Sequence, residues 1–349
     1  MNQKINYLDR NEFNFEPAPE VENAIKDFDV RNLCFYTRIF GEGKKSIFSE
    51  YVSSLYNVDE KQVLLGYGGE DLLKQVVHFF LTEEDGNKKM LIPGYSWWYY
   101  RSIAEEVKGK SMMYPMYEDG DTFKYDIEAL KSIVAKETPK IVLLASPNNP
   151  TGNMLSVAEL EYVMSFIPPS SVVLVDESYA SYVTEDNSYI RRLTDTYPNV
   201  IIIRTLSKFY GLPGLRLGFG FMSAALERFT AYSTKYLGYN RLSEEIGIAV
   251  LKAESHYRRV ADSMNVDRCM YEEELGVLPR FRVYKSNANF ILVKYPPELK
   301  DALQKLLGEN SYKIKFMDEP ELHSHVRITI GTHEQNRMVV DTIKKAVCP

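Results

Sequence analysis

The sequence predicts an α/β protein with a mainly parallel central sheet sandwiched by helices, followed by a smaller α+β part. The main evidence is three apolar runs, rich in β-branched residues and without polar alternation, at 140–145, 171–176 and 199–204. Such runs are typical of buried parallel strands, because helices cover both faces of a parallel sheet. Segments with helical spacing at 126–136 and 157–166 supply the crossovers that parallel strands require.

The elements before these runs follow the same alternation. The segment 47–55 has helical spacing, 62–65 and 90–92 are short apolar runs typical of strands, and 70–81 predicts an amphipathic helix with an acidic first turn. The first forty residues are aromatic and show no regular period. We expect them to be irregular and to pack on the smaller domain rather than on the sheet.

After about residue 240 the pattern changes to long helices and short strands. Predicted helices cover 243–274, 298–307 and a final segment from about 334, and predicted strands cover 282–284, 289–293 and 326–330. Since 349 residues are too many for one ordinary core, we expect two domains. The large domain is predicted at 40–240, and the small domain is predicted to combine 1–39 with 241–349.

Composition and charge limit the classes of function. With a formal net charge of -6, the chain offers no general attraction for nucleic acid or for an anionic membrane. Its three cysteines, Cys34, Cys269 and Cys348, have neither metal-ligand spacing nor the arrangement of a disulfide framework, which favours a reducing compartment. The N-terminus lacks an apolar signal core and no apolar stretch is long enough to span a bilayer. We therefore expect a cytoplasmic protein without a metal site.

The most informative segment is 207–216, which directly follows the third apolar run. Ligands of open parallel sheets bind outside the carboxyl ends of the strands, so this segment is expected at a ligand site. Lys208 could condense with an aldehyde while Ser207 and Arg216 hold a phosphate, a combination that suits a phosphorylated aldehyde. Taken alone, the segment could equally be a basic surface loop.

Other predicted strand ends carry residues that suit the same ligand. Gly69 and Glu70 open a helix whose N-terminal amides could bind an anion, although a simple tight turn would look the same. Tyr95 belongs to a run of aromatic residues that could stack on a flat ring or fill an interface. Asn149 lies in a turn and could donate to a phenolic oxygen. Asp176 ends a buried strand, where it could pair with a protonated pyridine nitrogen or cap a helix.

Together these residues describe a pyridine ring that carries phosphate, phenolate and aldehyde groups, and the sequence resembles the fold-type I pyridoxal-phosphate aminotransferases. It looks most like the histidinol-phosphate aminotransferase branch of the class I and II group. The motifs that carry the resemblance are S-P-N-N-P-T-G at 146–152, V-D-E-S-Y at 175–179, R-T-L-S-K at 204–208 with G-L-R at 214–216, and V-R-I-T-I-G-T at 326–332. The resemblance runs from about Leu8 to the C-terminus.

The resemblance implies pyridoxal 5'-phosphate as the cofactor and suggests which residues bind it. Lys208 would bind the aldehyde as a Schiff base and then act as general base and acid, while Asp176 would keep the pyridine nitrogen protonated. Asn149 and Tyr179 would both bond the phenolate oxygen, and Tyr95 would stack on the ring. The phosphate would be held by two backbone amides and two side chains, those of Gly69, Glu70, Ser207 and Arg216.

The resemblance also implies roles at the substrate and at a subunit interface. Arg327 would pair with the substrate α-carboxylate through both guanidinium arms, and Asn289 would lie on the substrate side. Tyr36 corresponds to a tyrosine that reaches the phosphate from the neighbouring subunit, so a homodimer is implied. The Asn149–Pro150 peptide is expected to be cis.

Two departures from the family pattern bear on the substrate. Only a few residues precede 11–17, which corresponds to the family segment N-E-N-P-Y-G, and Glu16 stands where that segment has glycine. Glu16 would either be solvated or favour a cationic substrate side chain. The predicted reaction exchanges an amino group between a 2-oxo acid and an L-amino acid, or an amine of the histidinol phosphate or aromatic type. The alternative is a decarboxylase resembling threonine-phosphate decarboxylase, since the same residues serve both reactions.

Overall fold

The computed structural model describes residues 5–83, 86–233 and 239–347, and it builds them around a seven-stranded sheet and a five-stranded sheet. The strands are β1 (Asn6–Leu8), β2 (Val63–Gly66), β3 (Lys89–Pro93), β4 (Lys110–Tyr114), β5 (Met116–Asp119), β6 (Thr122–Tyr125), β7 (Ile141–Ala145), β8 (Val172–Asp176), β9 (Val200–Thr205), β10 (Gly218–Met222), β11 (Arg282–Tyr284), β12 (Phe290–Lys294), β13 (Tyr312–Phe316) and β14 (His325–Thr329).

The helices alternate with these strands in the first two thirds of the chain and become longer after it. They are α1 (Pro19–Asp27), α2 (Ile47–Tyr56), α3 (Gly69–Thr82), α4 (Tyr99–Glu106), α5 (Ile127–Glu137), α6 (Val157–Phe166), α7 (Ser188–Thr196), α8 (Glu227–Ser233), α9 (Arg241–Lys252), α10 (Glu254–Gly276), α11 (Lys300–Glu309) and α12 (His333–Val347). Short 3-10 turns lie between them, including Val30–Cys34 and Ile39–Glu42.

The larger sheet brings three strand ends together. Its order is β2-β10-β9-β8-β7-β3-β4, in which only the pairings of β10 with β2 and β9 are antiparallel. In the parallel part, Ala145 of β7 is level with Asp176 of β8, and Asp176 is level with Ile203 of β9. The loops that follow these three strands therefore leave the sheet at one edge. The prediction of a mainly parallel sheet is confirmed.

The apolar runs lack polar alternation because both faces of this sheet are covered. In β8, Val173 and Val175 join the apolar cluster that includes residues of α6 and α7, whereas Val172 and Leu174 join the cluster built on α3 and α4. Every residue of β7, β8 and β9 is buried. This burial on both sides is the physical origin of the pattern in the sequence.

The smaller sheet contains strands from both ends of the chain. Its order is β1-β13-β14-β12-β11, and β1 runs parallel to β13 with Asn6 opposite Tyr312 and Leu8 opposite Ile314. The N-terminal segment thus packs on the C-terminal part, as expected, but the expectation that it is irregular is wrong. It contains β1 and α1, and α1 buries only Val21. A nine-residue helix with one buried side chain leaves too little periodicity to detect.

Two further observations concern membrane-spanning helices and cysteines. Within the described residues, no helix is both long and apolar enough to cross a membrane. Cys34 and Cys269 are free and exposed, while Cys348 lies outside the described residues. The predicted domain boundaries stay a prediction.

Candidate active site

Lys208 lies just beyond the end of β9, in contact with the N-terminal segment. Its Nζ donates to the backbone oxygens of Arg10 and Asn11 at 3.1 and 3.2 Å. Burial lowers the pKa of Lys208 from 10.5 to about 8, and the positive charge of Arg327 acts in the same direction. A large fraction of the amine is therefore neutral at mildly alkaline pH, as a nucleophile or general base must be.

Asp176 ends β8 and is 5 % exposed. Its Oδ1 accepts hydrogen bonds from the backbone amide and the hydroxyl of Ser178 at 2.9 and 2.6 Å, and its Oδ2 accepts one from the hydroxyl of Tyr100 at 2.7 Å. Asp176 is not a helix N-cap, because the 3-10 turn Ala180–Tyr182 that follows has Tyr179 at that position, and the bond from the Ser178 amide closes a local turn instead. All three donors are neutral, so none of them supplies a positive charge that would compete with a cationic ligand.

Two further polar side chains bracket the space in front of Lys208. The hydroxyl of Tyr179 accepts from Nδ2 of Asn11 at 2.8 Å, and burial raises the pKa of Tyr179 to about 12. The phenol thus keeps a proton that it can donate elsewhere. Oδ1 of Asn149 accepts from Nη1 of Arg327 at 2.5 Å, which leaves Nδ2 as the group of Asn149 that can donate to a ligand. The Asn149–Pro150 peptide is cis, as predicted.

A candidate anion site lies where α3 begins. Gly68, which precedes this helix, has a φ of 85°, and a Cβ at this position would lie 2.8 Å from Nη2 of Arg216. The same Nη2 donates to the carbonyl of Tyr67 at 3.2 Å. A Cβ at Gly69 would lie 3.5 Å from the Cβ of Thr205. Oγ1 of Thr205 donates to the hydroxyl of Ser207 at 2.9 Å. Helix amides, a guanidinium and a hydroxyl thus surround one space, which suits a phosphate.

Arg327 and Asn289 present buried polar atoms that have no protein partner. Nη2 of Arg327 donates to the carbonyl of Asp9 at 2.6 Å, but its Nε is buried without a hydrogen-bond partner. Asn289 is fully buried and donates to the carbonyl of Asn11 at 3.1 Å, while its Oδ1 has no partner. Buried polar atoms are rarely left unsatisfied, so these two point to a ligand that carries an anion and a donor.

Three further predicted residues have contacts with residues other than those described above. Tyr95 is half-buried with its ring centroid 5.6 Å from that of Phe123. Tyr36 is 69 % exposed. Glu16 is exposed, and its carbonyl lies 3.2 Å from Nε2 of His256 at the start of α10. The predicted roles of Tyr95, Tyr36 and Glu16 stay predictions.

Three residues at the site were not singled out from the sequence. Asn11 contacts Tyr179 through its side chain, and its amide donates to Oγ1 of Thr329 at 2.9 Å. Its φ of 56° is a left-handed conformation that asparagine tolerates well. Tyr100 and Ser178 bind Asp176. Of these three, only Ser178 could have been found from the sequence, because a serine two residues after a strand-end aspartate can bond its carboxylate.

The described residues fit pyridoxal phosphate on three independent observations. Lys208 is half-buried, and the removal of its amine from water shifts its pKa towards neutrality. Asp176 has only neutral donors around it and can still pair with a pyridinium nitrogen. The space that a Cβ at Gly68 would fill lies against Arg216, at the position expected for the phosphate. The site thus offers a partner for the aldehyde, for the ring nitrogen and for the phosphate.

Comparison with known proteins gives a consistent result. A family model described as Aminotransferase class I and II matches residues 3–343. The histidinol-phosphate aminotransferase of Ruminiclostridium cellulolyticum is 29 % identical over 343 residues, which cover 98 % of this chain and 92 % of that protein.

Solved structures share the fold. The histidinol-phosphate aminotransferase of Sinorhizobium meliloti, in complex with pyridoxal-5'-phosphate, has a TM-score of 0.86 at 21 % identity, covering 99 % of this chain and 92 % of its own. The L-threonine-O-3-phosphate decarboxylase of Porphyromonas gingivalis has a TM-score of 0.78 at 20 % identity, covering 99 % and 100 %. The predicted fold class is confirmed.

Proposed function

The chain belongs to the aminotransferase class I and II family, and on that premise we propose that its amino donor is histidinol phosphate or an amine of similar chemistry, with a 2-oxo acid as acceptor. Family membership confirms the predicted aminotransferase activity and pyridoxal phosphate as the cofactor. The donor class is supported by the histidinol-phosphate aminotransferase that matches nearly the whole chain. Its 29 % identity leaves room for a donor that differs in the side chain.

The cofactor would be held by residues from several strand ends. Lys208 would capture the aldehyde, Asp176 would hold a proton on the ring nitrogen, and Asn149 and Tyr179 would donate to the phenolate oxygen. Tyr95 would cover the ring face. The phosphate would be bound by the residues of the anion site, namely Gly69, Glu70, Ser207 and Arg216. Bound in this way, pyridoxal phosphate supplies an electron sink that makes a proton on the neighbouring substrate carbon acidic.

The protein's own groups would then move that proton and hold the substrate. Once released from the aldehyde, Lys208 can remove and return a proton as a neutral amine, since burial lowers its pKa to about 8. Arg327 would bind the carboxylate of the 2-oxo acid through its unpartnered Nε and one Nη group. Histidinol phosphate has no carboxylate, so in the donor half of the reaction Arg327 would bind its phosphate instead. Asn289 would contact the same substrate.

The test of this proposal is the visible spectrum of the purified protein loaded with pyridoxal phosphate. Histidinol phosphate, a panel of L-amino acids and threonine phosphate would be added one at a time, followed by a 2-oxo acid. We expect histidinol phosphate or a related amine to bleach the band and the 2-oxo acid to restore it. Bleaching by threonine phosphate alone, with release of carbon dioxide, would instead support decarboxylation.

The Lys208→Ala variant is the control for the spectrum. It should keep the far-ultraviolet circular dichroism of the parent protein and lose both the visible band and turnover, because the covalent link to the aldehyde is gone. Lys74→Ala, on α3 and paired with Glu106 at 2.6 Å, removes a lysine away from the proposed cofactor contacts. It should retain both the band and turnover. A full visible band in Lys208→Ala would contradict the assignment of this lysine.

We further propose that the protein is a cytoplasmic homodimer in which Tyr36 reaches the phosphate of the partner subunit. The support is an exposed apolar segment around the 3-10 turns, which contains Val30, Leu33, Phe35, Tyr36 and Phe40. Exposed apolar patches of this kind mark interaction sites. The large domain would span 40–240, and the small domain would combine 1–39 with 241–349.

The dimer can be tested by complementation between two defective variants. Tyr36→Ala and Lys208→Ala should each lose most activity as homodimers. After unfolding and refolding as a mixture, a hybrid dimer contains one site with an intact Lys208 and the partner's intact tyrosine. Activity should therefore reappear in the mixture. Its absence, in a mixture shown to contain hybrid dimers, would remove Tyr36 from the neighbouring site.

A further inference from the structure

Tyr100 is a buried tyrosine whose hydroxyl contacts a functional carboxylate. It lies in the first turn of α4, is 3 % exposed, and donates to Oδ2 of Asp176 at 2.7 Å. Burial, together with the adjacent carboxylate, raises the pKa of Tyr100 well above its ordinary value. The hydroxyl therefore stays protonated and remains a donor at any pH at which the protein works.

The Tyr100 hydroxyl reaches Asp176 from a different part of the chain than the two donors of Ser178. The two bonds from Ser178 reach Oδ1 and come from the loop that directly follows β8. Tyr100 instead reaches Oδ2 from a helix 76 positions earlier in the chain. Two independent elements therefore fix the rotation of the carboxylate, one at each oxygen.

A neutral donor also changes the chemistry of the carboxylate. A hydrogen bond to the charged form lowers the proton affinity of that form, whereas the full negative charge remains. A cation at the same place would also lower the proton affinity, but it would neutralise the charge that a pyridinium ion needs. With such a donor, a proton shared between a carboxylate and a ring nitrogen would lie on the nitrogen.

We propose that Tyr100 is a positioning residue for Asp176, which orients the carboxylate towards the pyridine nitrogen and keeps their shared proton on the nitrogen. This inference rests on the proposed role of Asp176. Tyr100 ends the aromatic run 97–100, and its ring is too deeply buried to fill an interface, which was one alternative for that run. The phenol ring is buried in the cluster built on α3 and α4, and its hydroxyl alone reaches the site.

The test is Tyr100→Phe, which keeps the ring and removes only the hydroxyl. The protein would be loaded with pyridoxal phosphate labelled with 15N in the ring, and the 15N chemical shift would be measured by NMR. We expect the resonance to move towards that of unprotonated pyridine. The dissociation constant for pyridoxal phosphate should rise, and kcat should fall by about tenfold with little change in KM, as expected for a lost hydrogen bond to a charged group.

The matched control is Tyr114→Phe. Tyr114 is also fully buried, and its hydroxyl donates to the backbone oxygen of Leu143 at 3.1 Å rather than to Asp176. Its loss should lower stability to a similar degree and leave the 15N resonance in place. Replacement of Tyr100 by 3-fluorotyrosine, whose hydroxyl is more acidic, should strengthen the bond and move the resonance in the opposite direction to Tyr100→Phe.

A third variant, Asp176→Asn, separates failure of this inference from failure of the proposed role of Asp176. If Asp176→Asn moves the 15N resonance but Tyr100→Phe does not, Asp176 is the partner of the ring nitrogen and the inference about Tyr100 is overturned. If neither variant moves it, the role of Asp176 itself is wrong, and the inference is overturned with it. Movement in Tyr100→Phe and Asp176→Asn, but not in Tyr114→Phe, supports both.

Discussion

Arg204 of β9 donates from Nε to Oε2 of Glu177 at 2.9 Å, and both side chains are at least 97 % buried. The pair joins β9 to the loop after β8 beneath the candidate site. Glu177 is the residue after Asp176, and Arg204 lies four residues before Lys208. The relative position of the two main functional side chains therefore depends on this buried ion pair.

Neighbouring polar groups complete the network. Arg204 also donates to the hydroxyl of Tyr189 at 2.8 Å and to Oδ1 of Asn187 at 2.7 Å. The hydroxyl of Tyr189 in turn donates to Oε1 of Glu177 at 2.7 Å. A buried ion pair is tolerated only when the remaining donors and acceptors are satisfied in this way.

Glu177→Ala is predicted to be strongly destabilising. It leaves the Arg204 guanidinium charged and buried without its carboxylate, which costs about 3–5 kcal/mol in comparable cases. The free energy of unfolding, measured by urea denaturation, should fall by that amount. Glu161→Ala is the control, since it breaks a surface pair with Arg192 and should change stability by less than about 1 kcal/mol. Equal effects of the two variants would show that burial of the Arg204–Glu177 pair does not matter.

The fold and the strand-end residues could be predicted because each depends on one local property of the chain. A strand buried on both faces is apolar along its length, so Asp176 at the end of one such run and Lys208 just after another stand out as polar residues. Parallel pairing then brings consecutive strand ends to one edge of the sheet. Roles given by the motifs, such as that of Arg327, needed the family resemblance in addition.

Tyr100 and Asn11 could not be predicted because their contacts depend on three-dimensional placement. Tyr100 reaches Asp176 only through the rotation of α4 about its axis, and the aromatic residues directly before it obscure its helical phase. Asn11 reaches Tyr179 because the segment after β1 turns over the site with a positive φ. A single sequence carries no signal for contacts across such separations.

Cofactor capture is predicted to depend on pH through Lys208. Only the neutral amine attacks an aldehyde, so the rate for the apo protein should rise about tenfold per pH unit and level off above a midpoint near pH 8. Stopped-flow absorbance after mixing with pyridoxal phosphate measures this rate. The same titration with Nα-acetyl-lysine corrects for ionisation of pyridoxal phosphate itself. A corrected midpoint near that of an ordinary lysine would contradict the effect of burial.

Arg327→Met tests the contribution of Arg327 to the lowered pKa of Lys208. The positive charge of Arg327 lowers the pKa of Lys208, so its removal should raise that pKa and move the midpoint of capture to higher pH. Arg216→Met removes a charge that acts on Lys208 in the same direction but more weakly, so its effect on the midpoint should be smaller. A larger displacement in Arg216→Met than in Arg327→Met would reverse this order.

Gly68→Ala is predicted to weaken cofactor binding. The added methyl group would lie 2.8 Å from Nη2 of Arg216, so the guanidinium must move away from the anion site. A charge-assisted hydrogen bond to a phosphate contributes about 1.5–3 kcal/mol, so the dissociation constant for pyridoxal phosphate should rise by about tenfold or more. Gly120→Ala is the control for backbone strain. Gly120 also has a positive φ, 64°, but a Cβ at this position would lie in open space. Both variants place alanine in a strained backbone conformation, yet only Gly68→Ala should lose affinity in an equilibrium titration. A similar loss in both would attribute the effect to backbone strain, and no loss in Gly68→Ala would place the phosphate away from Arg216.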